Sequence, residues 1–163
     1  MKTKAVISRR EILAGAAAIS SLVWSSHRAQ AEAFPKMTVT KDPSCGCCSG
    51  WVEHIRAAGF PVEVIETGEL NRVKVRLGVP QALASCHTAE IGGYVIEGHV
   101  PAEAIKRLLA EKPVGRGLAV PGMPIGSPGM EVEGTAPEPY DVVLFSSSGQ
   151  RTFARFLGAR SLR

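Results

Sequence analysis

The stretch SCGCCSG, positions 44–50, places Cys45, Cys47 and Cys48 within four positions of a 163-residue chain that has four cysteines in all. The fourth, Cys86, stands alone. Cys45 and Cys48 have the Cys-x-x-Cys spacing of redox motifs, where the free amides and dipole of a helix start stabilise a thiolate. Dithiol exchange needs two sulfurs, and a third thiol between them invites wrong pairings. A soft metal gains from every added thiolate, and sulfur-rich donor sets select Cu(I). Gly46 is expected to let the loop curl around such an ion. A structural zinc site, from four cysteines or from three with a histidine, fits less well, because zinc more often draws two separated ligand pairs.

The remaining donors differ in value. His87 adjoins Cys86 on an expected strand, and alternation would point the two to opposite faces. His99 precedes an expected helix, in the loop that returns beside the cysteines in the glutaredoxin pattern, and is the stronger candidate. His54 lies seven residues beyond Cys47, about 10 Å along a helix axis, and reads as a solvated helix histidine. Met123 and Met130 stand in a Gly/Pro-rich segment that can present a thioether to a metal, although methionine also serves as a gap-filler. Met37 is expected to pack at a strand start.

These donors need a scaffold. MTVT (37–40) reads as a strand that feeds the cysteine loop. Trp51, Val52 and Ile55 follow Cys48 at helical spacing until Gly59 and Pro61 end the helix. VEVIE (62–66) is a second strand, and Leu70, Val73 and Leu77 mark one face of a second helix closed by Gly78. Two β-leaning runs about Gly92-Gly93 form a hairpin. A third helix opens at Pro101, buries Ile105, Leu108 and Leu109, and stops at Pro113. The β-α-β-α-β-β-α order is that of a minimal thioredoxin or glutaredoxin unit, an α/β fold. Residues 114–163 then read as an extension packed on that unit, with Pro-Gly-Met at 121–123 and 128–130 and a terminal hairpin around SSSGQ.

The first 31 residues read as an export signal. A basic n-region with SRREIL, a twin-arginine pattern, precedes an apolar run shorter than the roughly 20 residues of a membrane span, then the small residues AQA. Cleavage there removes His27 and leaves residues 32–163 as one domain, periplasmic, with no stable membrane insertion. The segment carries five of 19 basic and one of 15 acidic residues, so the remainder holds 14 of each. The net charge of +4 belongs to the signal, and with no basic stripe there is no footprint for nucleic acid.

DPSCGCCSGWVEHIRAAGFPVEV, GVPQALASCHTA, GYVIEGHVPAEAIKRLL and GLAVPGMPIGSPGME together resemble the CopG-type periplasmic metal-binding proteins, long labelled a domain of unknown function. The likeness runs from about Met37 to Phe156. It implies a modified thioredoxin fold and Cu(I) binding in copper resistance, with Cys45, Cys47, Cys48 and Cys86 as the thiolate set. His99 and Met123 occupy positions of the same pattern. Clustered thiolates can bridge several coppers, so a small multinuclear cluster is open. Periplasmic copper efflux or oxidase components are the partners such a protein would serve. On this reading no substrate is turned over. The alternative is a thiol-disulfide oxidoreductase built on Cys45 and Cys48, alone or linked to copper.

Overall fold

A computed structural model describes residues 34–162; the segment read as an export signal, with His27, lies outside the described residues. The order is β1 (Met37–Lys41), α1 (Gly46–Ala57), β2 (Val62–Glu66), α2 (Leu70–Leu77), a 3-10 turn (Gln81–Leu83), β3 (His87–Ile91), β4 (Tyr94–Glu97), α3 (Ala102–Glu111), β5 (Gly117–Ala119), β6 (Pro139–Ser146), β7 (Gly149–Leu157) and β8 (Arg160–Leu162). Up to Glu111 this is the order expected from the sequence, with the short turn added.

One open, mixed sheet carries all eight strands of the described residues, in the order β2-β1-β3-β4-β5-β6-β7-β8. β1 runs parallel to β2 and antiparallel to β3, so the segment before Cys45 lies beside the strand that follows Cys86. The β3–β4 hairpin turns on Gly92 and Gly93, whose φ values of 54° and 85° suit the mirror-image turns that match strand twist. The chain after Glu111 enters this sheet. β5 pairs parallel with β4, and β6 and β7 form the terminal hairpin with a bulge between Val142 and Val143.

Helix spacing places Trp51, Val52 and Ile55 of α1 and Ile105 and Leu108 of α3 in a core with Met37, Val39, Ile96 and Leu118. Burying each such side chain contributes about 1.5–3 kcal/mol. The Trp51 indole N–H donates to the Val100 carbonyl at 2.9 Å, so the core anchor of α1 also fixes the loop after His99. Among the described residues, no helix is long and apolar enough to cross a membrane.

Candidate metal centre

A tight turn brings the triplet onto a helix start. The Asp42 carboxylate accepts the Ser44 N–H at 2.8 Å, and the Cys45 N–H donates to the Asp42 carbonyl at 3.1 Å. Cys45 is thereby the N-cap of α1, with Gly46, Cys47 and Cys48 as its first three helical residues and no side-chain cap on their amides. Sulfurs held there feel the positive end of the helix. Gly46 does not curl the loop. It is absent from the glycines with positive φ, and a Cβ on it would meet nothing within 4 Å.

Cys45 and Cys48 are joined by a disulfide, with Cα atoms 5.4 Å apart, while Cys47 and Cys86 are free. The Cys47 sulfur lies 3.6 Å from that of Cys45 and 3.9 Å from that of Cys86. All four sulfurs fall within 4.8 Å of one another. Cys86 arrives in the loop between the 3-10 turn and β3, beside the helix start, where the sequence reading expects it.

Cys86 also belongs to a second group. Its sulfur is 3.0 Å from His99 Nε2 and 3.4 Å from His87 Nδ1, and these three donors again lie within 4.8 Å. His99 is fully buried, and its Nδ1 lies 2.7 Å from the Pro128 carbonyl. A carbonyl can only accept, so Nδ1 carries the proton and the Nε2 lone pair faces Cys86. Residue 128, in the second Pro-Gly-Met, thus orients a histidine from outside the cysteine motif.

His87 departs from the alternation argument. β3 begins at His87 itself, so the strand's two-fold period does not reach back to Cys86. The His87 ring is buried 4.3 Å from the Trp51 ring and 5.1 Å from His99, and its Nε2 has no hydrogen-bond partner among the described residues. His54 is not a solvated helix histidine. It is half-buried, and its Nε2 accepts the Ala102 N–H at 3.1 Å, capping α3 where Pro101 offers no side-chain oxygen. It stays apart from both donor groups.

Burial sets the charges. It pushes the Cys86 thiol up to about 12, aided by the neighbouring Cys47. Desolvation lowers His99, and it carries His87 well below the ordinary histidine range, with His99 and Lys74 adding to the shift. The site therefore presents a protonated thiol against neutral imidazoles, and an incoming metal must displace the Cys86 proton.

The extension closes over the helix start. Gly129 has φ +84°, and a Cβ there would sit 2.5 Å from the Trp51 nitrogen and 2.6 Å from the Cys47 oxygen. Gly122, the matching glycine of the first Pro-Gly-Met, has φ +71°, and its carbonyl accepts the Ser85 hydroxyl at 2.6 Å. Met123 next to it is 53% exposed, and Met130 is half-buried.

Sequence reasoning passed over a charged group behind Cys86. Lys74 of α2 and Glu97 of β4 form a buried ion pair at 2.5 Å, with Thr88 of β3 bonded to both. Burial raises the Glu97 carboxyl, against the pull of Lys74. The available signal was spacing: Lys74 sits four residues after Leu70 and three before Leu77, on the face assigned to the core.

The family described as "Protein of unknown function, DUF411" matches residues 83–130, a span that holds Cys86, His99 and Met123 but not the triplet. No match was found among curated proteins. The solved structure "Copper resistance protein copG- Form 1" is 43% identical with a TM-score of 0.71, over 77% of this chain and 99% of that one. "Copper resistance protein copG- Form 2" is 42% identical with a TM-score of 0.69, over 75% and 98%. With that identity along nearly the whole length of those proteins, the chain belongs to the CopG family of copper-resistance proteins.

Proposed function

We propose that this protein is a periplasmic Cu(I)-binding protein that sequesters copper or passes it on by ligand exchange. The observation that carries the reading is the convergence of four cysteine sulfurs within 4.8 Å, one of which also meets two buried imidazoles. Copper is the cargo. Cys45, Cys47, Cys48 and Cys86 supply thiolates once the disulfide is reduced, and His99 supplies a nitrogen whose lone pair already faces Cys86. Soft sulfur donors favour Cu(I) over harder ions. Cys86 is common to both donor groups, and this supports a small multinuclear cluster. Met123, whose thioether is exposed, is a further soft donor for the ion. The twin-arginine-like leader supports export of the folded chain, with periplasmic efflux or oxidase components as recipients.

Cys47→Ser is the discriminating variant. Reduced protein is titrated anaerobically with Cu(I) against a competing chelator. The variant should lose at least about tenfold in affinity, and full retention of binding would remove Cys47 from the ligand set.

The Cys45–Cys48 disulfide favours a second reading, a thiol-disulfide oxidoreductase. Opening that bond takes up two electrons and two protons and returns two thiols. Disulfide exchange that requires Cys45 and Cys48 but tolerates Cys47→Ser would place this activity first.

A further inference from the structure

Cys86 is the one residue common to both donor groups, yet it sits in a loop with no proline nearer upstream than Pro80. The loop is held from behind. The Ser85 N–H donates to Glu97 Oε1 at 2.6 Å, which fixes the Ala84–Ser85 peptide unit, one residue ahead of Cys86. The same oxygen takes the Lys74 ammonium at 2.5 Å, and Glu97 Oε2 takes the Thr88 hydroxyl at 2.7 Å. Lys74 also donates to Thr88 at 2.9 Å. Glu97 is fully buried and Lys74 is 6% exposed, so these bonds are shielded from competing water. Around the peptide, the Ser85 hydroxyl holds the Gly122 carbonyl and the Gly98 N–H holds the His87 carbonyl at 3.0 Å. Gly98 keeps φ +69°, and a Cβ there would lie 2.6 Å from the Ser85 hydroxyl oxygen and 2.7 Å from the Val120 carbonyl.

Buried ion pairs are poor sources of stability, since apolar replacements often serve as well. This one has a second consequence, because its carboxylate also accepts the backbone amide next to a candidate ligand. We infer that Glu97, held by Lys74 and Thr88, is a positioning residue that sets the Cys86 sulfur against the Cys47 sulfur. The inference deepens the copper reading and rests on the same site. Its effect is transmitted through one hydrogen bond, from the Ser85 amide to the Glu97 oxygen.

The test is a metal-free measure of the Cys47–Cys86 separation in protein whose Cys45–Cys48 disulfide is closed. Phenylarsine oxide joins two nearby thiols: two As–S bonds form, the oxide leaves as water with the two thiol protons, and arsenic keeps its oxidation state. Lys74→Met/Glu97→Leu removes both charges and the acceptor. Lys74→Met/Glu97→Gln removes both charges but keeps an oxygen for the Ser85 amide. Wild type and the Gln variant should capture the arsenical alike, while the Leu variant, folded by circular dichroism, should lose capture and Cu(I) affinity by at least about tenfold. Wild-type capture by the folded Leu variant, or equal loss in both variants, overturns the inference. If the Leu variant does not fold, hydrogen exchange of the wild-type Ser85 amide decides: a protected amide supports the assignment and one exchanging like an open loop overturns it. Arsenical capture that depends on Glu97 in a protein without Cu(I) affinity would leave the positioning role standing and the copper reading lost.

Discussion

Replacing Gly129 with alanine should damage both the fold and the site, by an amount the structure allows to be worked out. At φ +84° an L-residue pays roughly 1–2 kcal/mol for a left-handed backbone. The new Cβ would lie 2.5 Å from the Trp51 nitrogen, against 3.4 Å for an ordinary contact, so one side must yield by about 0.9 Å. The atoms met are backbone atoms of the first turns of α1, and no rotamer change relieves them. A shift of that size in residue 129 carries the Pro128 carbonyl, now 2.7 Å from His99 Nδ1, beyond hydrogen-bond range. The lost bond adds about 0.5–1.5 kcal/mol. The expected destabilisation is about 1.5–3.5 kcal/mol, seen as a lower urea midpoint with an unchanged slope. A freed His99 ring should weaken Cu(I) binding by about tenfold or more in chelator competition. Gly46→Ala is the control: its Cβ meets nothing, so stability should hold or rise by up to about 1 kcal/mol. A Gly129→Ala protein with wild-type midpoint and affinity would refute the reasoning, as would equal damage from Gly46→Ala.

Further consequences follow for single residues and for pH. Cys86→Ser should weaken Cu(I) binding more than Cys45→Ser, because only Cys86 belongs to both donor groups; equal losses in chelator competition would remove its shared role. Folded His54, His87 and His99 all titrate below the ordinary value of 6.5, chiefly through burial, so the unfolded chain binds more protons. Stability from this source is complete above about 6.5 and declines as pH falls through it, measurable as urea midpoints between roughly pH 8 and pH 5. His54→Gln, whose amide oxygen can still take the Ala102 N–H, should flatten part of that decline; an unchanged profile contradicts the assignment. Cys86 is a thiol up to about 12, so Cu(I) must displace its proton and apparent affinity should rise about tenfold per pH unit for each proton released. A pH-independent affinity would speak against thiolate binding.

The cysteine triplet and its scaffold were legible because they rest on local rules. Helical spacing located Trp51 and Ile55 behind Cys48, and Gly92-Gly93 announced the hairpin that brings His99 back beside Cys86. What stayed hidden depended on neighbours distant in sequence. His54 reads as a surface residue until α3 is laid across it, when its ring becomes the cap that Pro101 lacks. Lys74 has the spacing of a core residue but the chemistry of a surface one, and only the Glu97 carboxylate three elements later resolves the conflict. His87 was misjudged because the strand's period was applied one residue before the strand begins. The Gly/Pro-rich stretch after residue 113 offered no strand pattern, yet Gly117 lies against the β4 backbone, where a Cβ would be 1.8 Å from the Val95 oxygen. That glycine lets a short fifth strand join the sheet.

The central claim is that copper sits on the cysteine cluster. Its most direct test is a thiol count on residues 32–163, reduced and anaerobic, before and after Cu(I) is added, with bound metal measured in the same sample. The account predicts four alkylatable thiols falling toward none as copper binds, together with an X-ray absorption spectrum of Cu(I) in a mainly sulfur shell. Copper bound while all four thiols remain open to alkylation, or a nitrogen and oxygen shell without sulfur, would contradict it.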